Sequence, residues 1–302
     1  VAAAIAAINE ARDVEMIFYL YVVDDDHRLV GVTSLRQLLL ARPEHTLDDV
    51  MTRSVIKVST GTDQEELAEL ANRYDLLAIP VVDLDNRLVG IVTVDDIMDV
   101  VIEEAEEDLF KMVGTSDDEL LYQERSWRIA LIRLPWLLAN LVGLVLTGIL
   151  FERFQVSMKE ALFLITFVPV IMGMGGNIGS QTSTITVRNL ATGRIAVHGR
   201  TMSYLWQQLK VGAILGLVCA GFVAGAAFLL EANLAYALVV GLSLLLAIVV
   251  ASANGTMVPV IFQRMGIDPA VAAGPLVTTS NDITGILIYF ALASALIDLL
   301  VR

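Results

Sequence analysis

The 302-residue chain reads as a multi-domain membrane protein, an α+β pair of small cytosolic modules followed by an all-α five-helix transmembrane domain. Three observations predict this: a sharp charge boundary, a set of long apolar windows, and an internal repeat. Residues 1–126 hold 28 of the 34 acidic side chains against 10 basic ones, a net of −18, whereas residues 127–302 hold 6 acidic and 10 basic, a net of +4. The apolar fraction, 56%, lies above the roughly 45–50% of soluble chains. Two different solvents shaped the two halves.

The chain opens "VAAAIAAINEARD", without methionine and already in a helical pattern, which leads us to expect a longer protein cut short at its N-terminus; no signal peptide is legible. The repeat follows at an offset of 59 residues. "VVDDDHRLVG" (22–31) and "VVDLDNRLVG" (81–90) agree at eight of ten positions, each reading strand, polar turn, strand, then helix. Two small βαββα units of this kind resemble a tandem CBS pair. The first module spans 1–40 and lacks its opening strand; the second spans 41–100, with "MTRSVIKVS" leading in and "LVGIVTVDDI" closing it. CBS modules are sensors, usually of adenine nucleotides or ions. Thr93 and Asp96 stand where nucleotide-binding CBS modules place a hydroxyl and a ribose-binding carboxylate, while the first module has Ser34 followed by Gln37, so one site at most, for a nucleotide such as ATP, is supported. The same residues also read as a helix cap, with Asp95 and Asp96 favouring the N-terminal dipole.

A connecting segment, 101–126, is expected next, beginning in an acidic helix, "DDIMDVVIEEAEEDLFKM". Glu103 and Glu107, and Glu104 and Asp108, stand four apart, so like charges stack and cost a few tenths of a kcal/mol per pair. Cations would remove that penalty; a solvated linker helix is the plainer reading. Its position, joining the sensor to the first span, favours a charge-dependent movement acting on the membrane part.

Charge-free windows of membrane length place five spans in 127–302: residues 134–151, 161–187, 211–230, a segment within 232–263, and 275–297. Arg125, Arg128 and Arg133 precede the first span, and Arg188, Arg194 and Arg200 follow the second. By the positive-inside rule these belong to the cytoplasmic side, so the soluble half faces the cytoplasm and the C-terminus faces out. The second span contains "VPVIMGMGGNIGSQTSTITVRN". Pro169, Gly173, Gly175, Gly176 and Gly179 imply a helix that bends, loosens or packs very closely. Gly175 and Gly179 form a small-xxx-small pair suited to helix contact. The polar run Asn177, Ser180, Gln181, Thr182, Ser183 and Thr184 argues against lipid exposure and for a pathway lining. In the fifth span, "TTSNDITGILIYF" carries Asp282. A carboxylate at helix-centre depth costs on the order of 2.5–3.5 kcal/mol, so it has either a pore function or a capping role at the helix N-terminus.

Taken together, a CBS pair, an acidic connecting helix, five spans, "GMGGNIGSQT" and "DPA...TTSNDITGILIYF" resemble the MgtE family of magnesium channels. The resemblance covers essentially the whole chain, apart from an N-terminal acidic domain that family members carry. It implies a homodimer in the cell (inner) membrane, with the pore on the two-fold axis lined by the second and fifth spans. It implies that Asp282 is the pore aspartate, Asn177 a pore-lining asparagine, and Asp268 the cytoplasmic-face acid that meets the connecting helix. Asp75, Asp96, Asp99, Glu104, Glu107 and Asp108 fall on positions used in cytoplasmic ion sensing.

The chemistry is compatible with that resemblance. Mg2+ demands octahedral oxygen geometry and sheds water reluctantly, so a pore would hold it hydrated, with carboxylates accepting from its water shell. Backbone carbonyls freed by a glycine-rich break are expected to add oxygens. No histidine lies in a span: His27 and His45 are in the soluble half and His198 in a loop. With Cys219 the only thiol, an imidazole or thiolate site for zinc or copper is disfavoured. There is no nucleophile with a paired base and no phosphate-cradling motif, so no enzyme is expected, nor a nucleic-acid partner. The function expected is Mg2+ uptake through a selective channel, closed by cytosolic Mg2+ at the acidic region. An alternating-access carrier and a non-transporting CBS sensor are the alternatives.

Overall fold

A computed structural model describes residues 1–10, 17–116, 118–121, 125–155, 162–195 and 201–300. The chain divides into two compact units, Val1–Ala105 and Glu106–Arg302. The first holds α1 (Ala2–Glu10), β1 (Tyr19–Val23), β2 (Leu29–Ser34), α2 (Leu35–Leu40), α3 (Leu47–Val50), β3 (Val58–Ser59), α4 (Gln64–Tyr74), β4 (Ala78–Val82), β5 (Leu88–Thr93) and the start of α5 (Val94–Met112). β1 and β2 form an antiparallel hairpin; β3 runs parallel to β4, and β4 antiparallel to β5.

The repeat is visible in the turns. Asp24 Oδ1 accepts from the backbone N–H groups of Asp26 and Arg28 at 3.0 and 2.8 Å, and Asp83 Oδ1 from those of Asp85 and Arg87 at 2.9 and 2.8 Å. A short carboxylate reaches an N–H two residues on, which is why aspartate opens both turns. His27 and Asn86 take the same left-handed conformation, φ 64° and 66°. The two hairpins then pair reciprocally, Leu29 N–H donating to Asn86 O and Leu88 N–H to His27 O, both at 2.9 Å. Val58, Leu67, Ala71, Ile79 and Ile97 form the core beneath the second sheet. Complete burial of a side chain such as Ile79 contributes about 1.5–3 kcal/mol.

The second unit holds the rest of α5, α6 (Asp118–Leu121), α7 (Ser126–Gln155), α8 (Leu162–Ile165), α9 (Val168–Ala191), α10 (Thr201–Glu231), α11 (Leu234–Arg264), α12 (Pro269–Ala273) and α13 (Pro275–Leu300). Among the described residues five segments are long and apolar enough to cross a membrane: Ser126–Arg153, Phe163–Ala191, Thr201–Glu231, Leu234–Arg264 and Pro269–Leu296. The first and third begin well before their apolar windows, because the helices continue through Arg128, Arg133 and Lys210, whose long stems let a charged tip reach water. About half of the second, fourth and fifth spans is buried, against 6% of the first and 17% of the third. α9, α11 and α13 are therefore the inner helices.

Small residues make that packing close. On α10, Gly212 lies against Ser252 and Gly216 against Leu245, so the α11 backbone approaches where a side chain would collide. Tyr289 and Phe290 are fully buried, and Tyr289 Oη donates to Leu164 O at 2.6 Å. The glycine-rich stretch departs from expectation, since α9 is unbroken from Val168 to Ala191. The interruption falls earlier, at Thr166 and Phe167, and Pro169 sits in the first turn of α9, where its missing N–H leaves nothing unsatisfied. No carbonyls are freed among residues 173–179; Gly179 instead serves close contact with Asn281 of α13 and Gly255 of α11, while nothing lies within 4 Å of a Cβ at Gly173.

Candidate functional site

Helical spacing sorts α9 into two faces. Gly173, Asn177, Gln181 and Thr184 are exposed, whereas Gly175, Gly176, Ile178, Gly179, Thr182 and Ser183 are buried. Along the exposed face run two clefts, of about 380 and 400 Å³. The first is lined by Met172, Gly173, Gly176, Asn177, Ser180, Thr278 and Asp282, the second by Asn177, Ser180, Gln181, Thr184 and Ile185. Asn177 and Ser180 belong to both, so α9 presents a continuous polar strip.

Asp282 enters the first cleft from α13. It is the eighth residue of that helix, about 10 Å from its start at 1.5 Å per residue, and only 8% exposed. Gly176 lies beside it: a Cβ there would stand in ordinary contact, 3.9 Å from Asp282 Oδ1 and 3.4 Å from Thr278 Cγ2. Thr278 turns its hydroxyl back to Gly274 O at 3.3 Å, which leaves its methyl group toward Gly176. Among the described residues no basic side chain pairs with Asp282.

The structure thus brings together Asp282, Asn177 and Gly176. Gly175 and Gly179 lie on the opposite, packed side, Gly179 directly against Asn281. Thr278 and Met172 line the cleft without having been singled out in the sequence, although Thr278 stood in "TTSND", and Gly173, read there only for its effect on the helix, lines it as well. Asn281 and its partner Asn254 were also passed over. The signal for Asn254 was a carboxamide inside the otherwise apolar fourth span, in "SANG".

Asp268 occupies a different setting. It caps α12, accepting from Ala270 N–H at 2.8 Å, and accepts from Lys111 Nζ at 2.6 Å. Lys111 also pairs with Glu107 at 2.6 Å, one helical turn earlier on α5. Burial pulls the Lys111 ammonium down, but the hydrogen bonds and charges of Asp268 and Glu107 outweigh it and raise the group above its ordinary range. Nearby, Met112 joins Val187, Ala270 and Ala273 in a small apolar cluster, and a Cβ on Gly274 would lie 2.7 Å from Met112 O. The end of α5 is held closely against α12.

Of the remaining acids, Asp75 is the left-handed C-cap of α4, with φ 51°, and Asp96 and Asp99 are exposed on α5. Glu104 and Asp108 are half-buried on that helix. Among the described residues no group of three or more His, Cys, Asp or Glu is placed to hold a metal ion. Thr93 Oγ1 donates to Asp96 Oδ2 at 3.2 Å. The equivalent residues of the first repeat, Ser34 and Gln37, form a complete capping box at the start of α2. His198 and Arg200 lie outside the described residues.

These features define a class: a five-helix membrane domain that follows a soluble α+β unit and carries a polar strip and a buried acid on its inner helices. Within the membrane domain residues 168–292 match the MgtE family model, described as a divalent cation transporter, and residues 47–103 match the CBS domain model. The chain is similar to the magnesium transporter MgtE of Bacillus subtilis, 39% identical over 95% of this chain and 63% of the relative. It is 38% identical to the magnesium transporter MgtE of Thermus thermophilus, over 95% of this chain and 64% of the relative. These relatives are transporters and not enzymes. The crystal structure of the cytosolic domain of the Mg2+ channel MgtE in complex with ATP aligns at 48% identity over 33% of this chain and 40% of that one, with a TM-score of 0.32. The chain spans less than two thirds of the length of the curated relatives it matches.

Proposed function

We propose that the chain is the sensor and pore portion of a magnesium channel mediating Mg2+ uptake, assembled as a homodimer with the pore on the two-fold axis. The observation that carries this reading is Asp282, a carboxylate without a cationic partner among the described residues, facing a cleft whose other wall is the Asn177–Ser180 strip. The strip is exposed on a helix of a membrane domain, and polar groups at membrane depth belong against protein or water. A second copy related by a two-fold axis supplies the facing wall and a second Asp282. Two carboxylates, asparagine amides and hydroxyls suit a hydrated, hard divalent ion. The names of the relatives, matched over 95% of the chain, support magnesium as that ion.

The net charge of −18 on residues 1–126 supplies the control. At low internal Mg2+ the acids repel one another. At high internal Mg2+, ions bridging Asp75, Asp96, Asp99, Glu104, Glu107, Asp108 and Asp268 favour the closed state, as differential binding requires. In this reading the CBS region is cytoplasmic and the C-terminus lies outside. Thr93 and Asp96 offer a hydroxyl and a carboxylate at which ATP modulates the sensor, once their mutual hydrogen bond opens. The test is Mg2+ flux into liposomes with internal Mg2+ varied. Flux suppressed by internal Mg2+ and reduced to background by Asp282→Ala is the expected result, and undiminished, equally selective flux in that variant would sink the pore assignment.

A further inference from the structure

Asn281, the residue before Asp282, is 1% exposed. Its Oδ1 accepts from Asn254 Nδ2 at 3.0 Å, while its own Nδ2 is buried with no hydrogen-bond partner. The side chain lies over Gly179, where a Cβ would come 1.7 Å from Asn281 Nδ2. Gly255, next to Asn254, packs as tightly on the same spot: a Cβ there would stand 2.6 Å from Gly179 O. Three inner helices therefore meet at one node, α9 through Gly179, α11 through Asn254 and Gly255, and α13 through Asn281.

Consecutive residues on a helix point about 100° apart. With Asn281 held against α9 and α11, Asp282 is turned toward the cleft, where Gly176, one turn before Gly179, lies beside its carboxylate. An apolar pair of similar size would fill the node without burying polar groups that are only partly satisfied. Buried polar pairs of this kind are best attested as devices that fix register between helices. The alternative reading, a pair kept for packing alone, leaves the unpartnered Asn281 amide unexplained.

We propose that the Asn254–Asn281 pair sets the rotation of α13 and so aims Asp282 at the ion, which makes both asparagines positioning residues for cation selection. This rests on the reading of Asp282 as the pore acid. The experiment reconstitutes the 302-residue chain in liposomes and measures, for Asn254→Leu, Asn281→Leu and the double variant, the Mg2+ concentration giving half-maximal flux and the preference for Mg2+ over K+. Each single variant is expected to raise the half-saturating concentration about tenfold and to lower the preference, since small misplacements of a positioned group weigh heavily. The double variant should be no worse than either single one, and Asn254→Gln, which keeps a donor amide, should recover part of the loss. A pair that only packs would change the thermal midpoint and leave half-saturation and preference at their wild-type values, which overturns the inference. Multiplying effects in the double variant overturn it too. Should Asn254→Leu not fold, the comparison of Asn254→Gln with Asn281→Leu decides in the same way. If Asp282→Ala leaves flux intact, it is the pore reading that fails; if that variant is silent and the asparagine variants behave as wild type, only the aiming role fails.

Discussion

Three acids of the membrane unit differ in what neutralises them. Asp268 accepts from Lys111 Nζ at 2.6 Å, and Glu119 takes two hydrogen bonds from Arg133, both at 2.6 Å. Asp282 has no such partner among the described residues and lies inside a span, Pro269–Leu296, whereas Asp268 and Glu119 lie outside the spans. A buried carboxylate paired with a protein cation is a structural element, and a mobile ion reaches it only by displacing that cation. A buried carboxylate left without one is stabilised by whatever cation enters beside it. On the function proposed here, that difference would separate a pore group from a latch within a single helical domain.

The largest effect should come from exchanging charge at the two aspartates. Asp282→Asn keeps the shape of the side chain but removes the charge, and Mg2+ flux in liposomes should drop to background. Asp268→Asn should leave flux at low internal Mg2+ near wild type and weaken its suppression at high internal Mg2+. If both variants lose flux alike, the two acids do the same work and the contrast collapses.

The glycines of α9 give the next effect, read as a thermal midpoint in detergent. At Gly179 a methyl group would overlap Asn281, so Gly179→Ala should destabilise by about 1–3 kcal/mol, as overpacking does. At Gly173 nothing lies within 4 Å, and Gly173→Ala should instead gain up to about 1 kcal/mol from helix propensity. Equal shifts at both positions would mean that α9 is not fixed by Gly179.

Much of this site was legible beforehand because polar residues in apolar windows are conspicuous. Asp282 and Asn177 stand out by that criterion, and so does the 59-residue repeat, whose turn aspartates hydrogen-bond identically in both copies. The five spans were likewise legible from hydropathy, while their charged ends were not, since a helix does not stop where its apolar window does. Of the readings the glycine-rich stretch allowed, close packing holds at Gly179 and a break with freed carbonyls does not, since α9 runs unbroken from Val168 to Ala191. Glycine's low helix propensity is overridden here, and at Gly179 the contacts with α13 and α11 leave no space for a side chain. The Asn254–Asn281 pair, and Lys111 as the residue through which α5 meets Asp268, were hidden for a simpler reason: long-range side-chain partners leave no periodic trace.

Lys111 permits a smaller test of the latch. It neutralises Glu107 and Asp268, so Lys111→Met leaves two carboxylates facing each other with no cation between them. The Mg2+ concentration that half-protects α5 from protease should fall by about tenfold, equivalent to about 1.4 kcal/mol. An unchanged or higher concentration would show that the lysine is not competing with the ion.

The smallest effect belongs to Glu119, whose bonds from Arg133 and from Thr115 Oγ1 hold its carboxyl at about 2, below the usual 4.5. A depressed acid contributes stability that is fully present above its unfolded value and is lost as pH falls through the folded one. The contribution should therefore be constant at neutral pH and decline only between about 4.5 and 2. Proteolysis between α6 and α7 followed against pH should show this decline in the wild type and none in Glu119→Gln. The exposed setting of Arg133 and screening by salt keep the difference small, and raising the ionic strength should shrink it further. A pH dependence centred near neutrality would instead point to a group other than this carboxylate as the one that holds α6 to α7.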